Sequence, residues 1–75
     1  MKQRSKEETG NIFREIRLSK GLSLEQLADM TDENLTAEQI DLYEKGKDTL
    51  PLIGFILMCK ALEIEDPDKI LYEEI

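Results

Sequence analysis

The 75-residue chain has room for one small hydrophobic core, which excludes a second domain. Its single cysteine, Cys59, cannot form an internal disulfide, and the absence of histidine excludes the usual zinc sites. Ten basic against seventeen acidic residues give a net charge of −7, which has the wrong sign for a protein that depends on long-range attraction to phosphate.

The first predicted helix lies close to the N-terminus. Ser5 and Glu8 have the Ser-x-x-Glu spacing of a capping box, in which each side chain accepts a hydrogen bond from the backbone of the other residue. This spacing predicts a helix start near Lys6, unless Gly10 delays it. The helix should end at Gly21, because glycine adopts the left-handed conformation after a helix terminus without steric cost.

Two further capping boxes predict two short helices separated by a polar turn. The sequence Ser-Leu-Glu-Gln at residues 23–26 opens a helix that should end near Met30. The sequence Thr-Ala-Glu-Gln at residues 36–39 opens another that should end before Gly46. The polar residues 31–34 between them predict the turn.

The fourth predicted helix is apolar around nearly its whole circumference. Pro51 suits its first position. A helical wheel assigns one apolar stripe to the core, namely Leu52, Phe55, Ile56, Cys59 and Leu62. A second stripe of Ile53 and Leu57, with Met58 beside it, is a candidate contact for a homodimer or another protein partner. The alternative is that the first helix, the N-terminal arm or the last helix covers this stripe within one chain.

The last predicted helix begins at Asp66 and Pro67, because an aspartate cap followed by proline suits a helix start. Its apolar residues are Ile70, Leu71 and Ile75. No segment shows the alternation typical of a half-buried strand, so no sheet is expected. The sequence therefore predicts an all-α fold of five helices, with a basic N-terminal arm or helix start at residues 1–9 and a single domain at residues 10–75.

Three segments together resemble the Cro and phage-repressor family of helix-turn-helix domains, also called XRE-like. They are residues 13–28, which contain the sequence Arg-x-x-Lys-Gly-Leu-Ser at 17–23, the sequence Tyr-Glu-Lys-Gly-Lys at 43–47, and residues 61–64 with 66–71, which resemble the last two helices of the family. The resemblance covers residues 10–72 and implies a compact, five-helix, lambda-repressor-like domain. It also implies that residues 23–30 form the positioning helix and residues 36–44 the recognition helix, which lies in the major groove in the family.

The same resemblance implies a largely buried ion pair between Arg17 and Glu44. The residues themselves favour this pairing, because a carboxylate between the core residue Tyr43 and a glycine stop needs a cationic partner, and Arg17 lies on the facing side of the first helix. We therefore interpret the pair as structural rather than functional.

The outward face of the predicted recognition helix departs from the family pattern. In the family, a glutamine after the serine of the positioning helix commonly touches phosphate, and here that position is Leu24. Ala37, Glu38 and Asp41 should point outward, where DNA-reading members tend to carry Gln, Asn, Arg or Ser. The turn is also longer than is usual in the family, with residues 32–33 as the inserted pair.

The candidate DNA-binding residues form one group on the recognition helix and one basic group outside it. Base reading by the helix group is chemically allowed, because alanine can touch a thymine methyl group and a carboxylate can accept from a cytosine amino group. Residues 1–20 hold six basic and three acidic residues, so a polyanion is expected to approach from the N-terminal side. The candidates are Ala37, Glu38, Gln39 and Asp41 on the recognition helix, Lys45 and Lys47 after it, and Lys2 and Arg4 in the arm. The alternatives for the basic residues are a solvated tail and a complement to the helix dipole.

Two functions from different classes are compatible with these patterns. The first is a small transcriptional regulator that binds duplex DNA through residues 36–44, and the alternative is a protein-interaction module that keeps the fold but has lost specific DNA binding. An enzyme is not expected, because the chain has no histidine base, glycine-rich phosphate loop or metal cluster, so neither a cofactor nor a small-molecule substrate is predicted. The longest apolar run, residues 50–59, is too short for a membrane span, which predicts a cytoplasmic protein.

Overall fold

Three helices begin at the capping boxes that the sequence predicts. In the computed structural model, which describes residues 2–73, they are α1 (Lys6–Ser19), α2 (Leu24–Met30) and α3 (Ala37–Glu44). At each start the serine or threonine side chain accepts from the backbone three residues later, and the Glu or Gln there accepts from the backbone of the cap. The predicted starts are therefore confirmed, and Gly10 lies inside α1 without delaying it.

The last two helices, α4 (Leu52–Ala61) and α5 (Asp68–Leu71), begin later than predicted. Pro51 is the residue before α4 rather than its first residue. Asp66 stands two residues before α5, which has no side-chain cap hydrogen bond, so the expected aspartate cap is wrong. Ile75, which was expected on this helix, lies outside the described residues.

The two ends of the chain meet in a short antiparallel ladder. The strands β1 (Lys2–Gln3) and β2 (Tyr72–Glu73) pair with each other, which corrects the expectation that the fold has no sheet. The backbone N–H of Arg4 adds a hydrogen bond to the Leu71 carbonyl at 2.7 Å. These strands have two residues each, so the fold remains all-α in its architecture.

The hydrophobic core is built from residues of all five helices and of the turn between α2 and α3. The Phe13 ring stands at its centre, with ring centroids 5.6 Å from both Tyr43 and Phe55. Tilted and edge-on contacts of this kind are the favoured arrangements of aromatic pairs. The largest side chains with almost no exposure are Phe13, Leu27, Ile40, Met58 and Leu62.

The face that α4 turns to the core differs from the predicted wheel. Leu52 and Ile56, which were assigned to the core, are 75% and 47% exposed, whereas Met58, expected at a partner surface, is fully buried. Gly54 is buried on the inward side of α4, where a Cβ would lie 3.2 Å from the Leu50 side chain and 3.4 Å from that of Leu35. The glycine side of α4 therefore packs inward, and the Leu52 side points to solvent.

Candidate nucleic-acid interface

The turn between α2 and α3 is held by Thr31, a buried residue. Its hydroxyl donates to the Ala28 carbonyl at 2.7 Å and accepts from the backbone N–H of Leu35 at 3.3 Å. Asp32 and Glu33, the inserted pair, are exposed and have left-handed backbone, with φ of 56° and 61°. The turn thus places two carboxylates ahead of α3. Sequence reasoning missed the role of Thr31, because its place in a polar run gave no sign of burial.

One buried ion pair holds α3 against α1. The Arg17 guanidinium donates to both oxygens of Glu44, at 2.8 Å from Nε and 2.9 Å from Nη2. Its Nη1 donates to the Leu22 carbonyl at 2.8 Å, which ties the loop before α2 to the same network. Hydrogen bonding to Glu44 raises the pKa of Arg17 above its ordinary value. The network therefore fixes how α2 and α3 are presented.

Some polar side chains on the outward face of α3 already form a hydrogen bond or an ion pair within the protein. The Gln39 side-chain oxygen accepts the hydrogen bond of the capping box, at 2.8 Å. The Asp41 carboxylate pairs with Lys45 at 2.8 Å on the surface. Ala37 is half-buried, whereas Glu38 is exposed and has no hydrogen-bond or ion-pair partner in the part of the chain that the structure describes. Glu38 is therefore the acceptor on this face that stays free.

The remaining basic candidates lie after α3 and in the N-terminal segment. Lys47 is exposed in the loop that follows α3. Lys2 stands opposite Glu73 in the ladder, and Arg4 is half-buried with its Nε donating to the Lys69 carbonyl at 3.3 Å. The candidate arm is thus tied to the C-terminal strand instead of extending away from the domain.

A groove of about 250 Å³ connects the N-terminal segment with the loop after α3. Arg4 and Lys6 line one part of it, and Thr49 and Leu50 line another. Burial raises the pKa of Tyr43, which also lines this groove, to about 12. The groove brings basic side chains of the arm to the loop that follows α3, but the outward residues of α3 do not line it.

Other kinds of site chemistry find little support in the described residues. Residues 2–73 contain no cluster of Cys, Asp and Glu that could hold a metal ion. None of their helices combines the length and the apolar character that crossing a membrane requires. Cys59 is buried, and this burial raises the pKa of its thiol, which disfavours the reactive thiolate.

The helix order and the α2–turn–α3 geometry match a known family. A family model described as helix-turn-helix matches residues 13–69, which is most of the chain. The chain belongs to the Cro/repressor-type, XRE-like helix-turn-helix family. This family consists of DNA-binding regulators, and in this helix-turn-helix protein α2 and α3 form the motif. A comparison with curated proteins gives no significant match.

Proposed function

We propose that this helix-turn-helix protein is a small Cro/repressor-like transcriptional regulator that binds duplex DNA through residues 36–44, with an atypically acidic recognition helix. The observation that carries the proposal is that an ion pair holds the C-terminal end of α3 against α1, while residues near its N-terminal end are exposed to solvent. Arg17 holds Glu44 at its C-terminal end, while Glu38 and Gln39 near its start remain exposed. A helix held in this way can enter a major groove with its N-terminal residues toward the bases.

Phosphate contacts in the proposed complex depend on a few basic side chains. Lys47 is exposed just after α3. Lys45 is paired with Asp41, but an exposed pair at this spacing contributes only about 0.3–0.5 kcal/mol, so the lysine can turn to a phosphate at little cost. Lys2 and Arg4 add contacts from the N-terminal segment. Such contacts position a protein on DNA without reading its sequence.

Base reading in the proposed complex falls to Ala37 and Glu38. The Glu38 carboxylate can accept from a cytosine amino group, and the Ala37 methyl group can contact a thymine methyl group. A good base contact contributes about 1–3 kcal/mol of discrimination against the wrong base. The repulsion between the Glu38 carboxylate and the phosphates opposes this gain. The expected complex therefore has modest affinity and prefers a cytosine opposite Glu38.

A protein-interaction module is the second candidate function, and the charge ahead of α3 favours it. Asp32, Glu33 and Glu38 are all exposed and follow one another along the turn and the start of the helix. A surface of this sign attracts a basic protein rather than a phosphate backbone. In this alternative the fold is kept and specific DNA binding is lost.

Charge reversal on α3 distinguishes the two functions. Fluorescence anisotropy with a mixed-sequence duplex would compare Glu38→Lys with Glu15→Lys, which makes the same charge change at an exposed position of α1. If α3 lies in the groove, Glu38→Lys should increase the affinity at least about tenfold more than Glu15→Lys, because its charge lies next to the phosphates. Equal gains in the two variants would show that α3 does not contact DNA.

A further inference from the structure

We propose that the groove between the N-terminal segment and the loop after α3 binds a small monocarboxylic acid with an apolar body, whose carboxylate accepts a hydrogen bond from the Tyr43 hydroxyl. The inference does not depend on DNA binding, and its test uses no DNA. It rests on a hydroxyl without a partner on a buried residue, on a groove lining without acidic residues, and on apolar walls beside the polar groups.

The Tyr43 hydroxyl has no hydrogen-bond partner in the part of the chain that the structure describes. The residue is only 6% exposed, and its ring packs against Phe13 in the core. Every fully buried side-chain oxygen or nitrogen of the described residues has a partner, so this hydroxyl reaches solvent where Tyr43 lines a groove. Polar groups on buried residues normally have partners. The hydroxyl is therefore a donor that is left for a ligand.

The charge of the lining favours an anion in the groove of about 250 Å³. Arg4 and Lys6 line this groove, and no acidic residue does. Lys6 is exposed and forms no ion pair within residues 2–73. The other groove that Tyr43 lines includes Asp48, and two further cavities of the described residues also include acidic residues. In a chain with a net charge of −7, a groove without carboxylates is suited to an anionic ligand.

The apolar part of the lining favours a ligand with a hydrocarbon body. Leu50, Phe55 and Leu71 form walls of the groove, beside the polar side chains. Ligand sites commonly combine such walls with a few polar groups that orient the ligand. Inorganic phosphate would leave these walls without an apolar contact, whereas the body of a carboxylic acid covers them while its carboxylate reaches the donors.

The volume of the groove limits the size of the ligand. It corresponds to about eight water molecules and lies just below the usual range of ligand pockets. A straight-chain acid of about eight carbons suits this size, so octanoate is the probe. A ligand of about ten non-hydrogen atoms binds weakly, with an expected Kd of about 0.1–1 mM. Burial raises the pKa of Tyr43 to about 12, so at neutral pH the hydroxyl keeps the proton that it donates.

An NMR titration of the ¹⁵N-labelled protein with octanoate, up to about 10 mM at constant ionic strength, tests the site. The backbone amide signals of Thr9, Thr49 and Leu50, which border the groove, should shift and reach saturation. Acetate, which is the headgroup alone, should give no saturating shift. Octanamide, which lacks the charge, should bind at least about tenfold more weakly than octanoate. The absence of saturation, shifts centred on the cavity between α4 and α5, or equal Kd values for octanoate and octanamide would overturn the proposal.

Removal of the hydroxyl tests the contact with Tyr43. Tyr43→Phe should raise the octanoate Kd at least about tenfold, because a hydrogen bond to a charged group is lost. Tyr72→Phe is the matched control, since the other tyrosine of the chain does not line the groove, and it should leave the Kd unchanged. Because the hydroxyl has no partner in the free protein, Tyr43→Phe should not lower the melting temperature. An unchanged Kd, or a lower melting temperature, would overturn the assignment of the hydroxyl to a ligand.

Replacement of one basic side chain tests the attraction to the carboxylate. Lys6→Gln should raise the octanoate Kd about threefold, because an exposed charge contributes modestly. Lys20→Gln makes the same charge change at an exposed position that does not line the groove, and it should leave the Kd unchanged. Equal effects of the two variants would overturn the role of Lys6 in holding the carboxylate.

Discussion

Gly10 sets the distance between α1 and α3, and one added methyl group tests their packing. In Gly10→Ala the new Cβ would overlap the Tyr43 carbonyl oxygen and lie 2.9 Å from that of Glu44, and neither backbone atom can rotate away. Alanine gains about 1 kcal/mol over glycine inside a helix, but overpacking costs about 1–3 kcal/mol and sometimes more. We expect the free energy of unfolding, measured in urea, to fall by about 2 kcal/mol.

Gly21→Ala is the matched control for this substitution. Gly21 has a φ of 70° and nothing near the position of an added Cβ, so the change strains the backbone without disturbing any packing. It should lower the free energy of unfolding by about 1 kcal/mol. A Gly10→Ala variant as stable as the wild type would contradict the close approach of α1 and α3.

The ion pair between Arg17 and Glu44 is buried, and breaking it should strongly destabilise the fold. Glu44→Ala leaves the Arg17 guanidinium buried with one carbonyl partner, which should lower the free energy of unfolding by about 3–5 kcal/mol. The control Asp41→Ala removes an exposed pair and should stay within about 0.5 kcal/mol of the wild type. Thermal and urea unfolding measure both, and an unchanged melting curve for Glu44→Ala would show that the pair does not stabilise the fold.

The outward placement of the acidic candidates on α3 could be predicted from the sequence. Helical periodicity placed Glu38 and Asp41 on the outer face because Ile40 and Tyr43 face inward, and the structure has the same arrangement. The spacing also favours the observed ion pair, because Asp41 and Lys45 lie four residues apart on one helix face, whereas Glu38 and Lys45 lie seven residues apart.

The turn between α2 and α3 holds two consecutive non-glycine residues in the left-handed backbone conformation. Glu33 has a φ of 61°, a conformation that costs a non-glycine residue about 1–2 kcal/mol. Glu33→Gly removes that strain but gives the unfolded chain more freedom, so stability should rise by about 0.5–1 kcal/mol. The control Glu38→Gly, within α3, should lower the free energy of unfolding by about 1 kcal/mol. A loss of stability in Glu33→Gly, seen in urea unfolding, would contradict the left-handed turn.

Helix starts were predictable from the sequence, whereas the orientation of α4 was not. A capping box is a local motif, so Ser5, Ser23 and Thr36 mark their helices whatever the rest of the fold does. The wheel of α4 has apolar residues on every side and therefore gives no unique inward direction. In the structure Gly54 and Met58 face inward, and a Cβ on Gly54 would lie 3.4 Å from the side chain of Leu35, a tertiary neighbour that a helical wheel cannot show.

The β1–β2 ladder could not be predicted for a different physical reason. Strands of two residues are too short to show an alternating pattern, which is the main sequence signal of a strand. Their pairing depends on where the two chain ends meet once α1 and α5 have packed. The same meeting point places Lys2 opposite Glu73, which sequence periodicity cannot reveal.

At the scale of the whole molecule, the distribution of charge bears on the two proposed functions in opposite ways. The six basic residues of the first 20 are carried by the N-terminal segment, by α1 and by the residue after α1. The turn before α3 and the start of α3 are acidic. A duplex approaching α3 therefore meets local repulsion, which only the basic residues of the N-terminal segment and of the loop after α3 can offset.

The most direct test of DNA binding is a fluorescence-anisotropy titration of a mixed-sequence duplex at about 50 and about 200 mM salt. The proposed regulator should bind at micromolar concentrations at the lower salt. With four phosphate contacts, from Lys2, Arg4, Lys45 and Lys47, its affinity should fall by about 100-fold at the higher salt. The absence of binding at the lower salt would contradict the proposed function and favour the alternative, in which the acidic face of α3 contacts a protein partner.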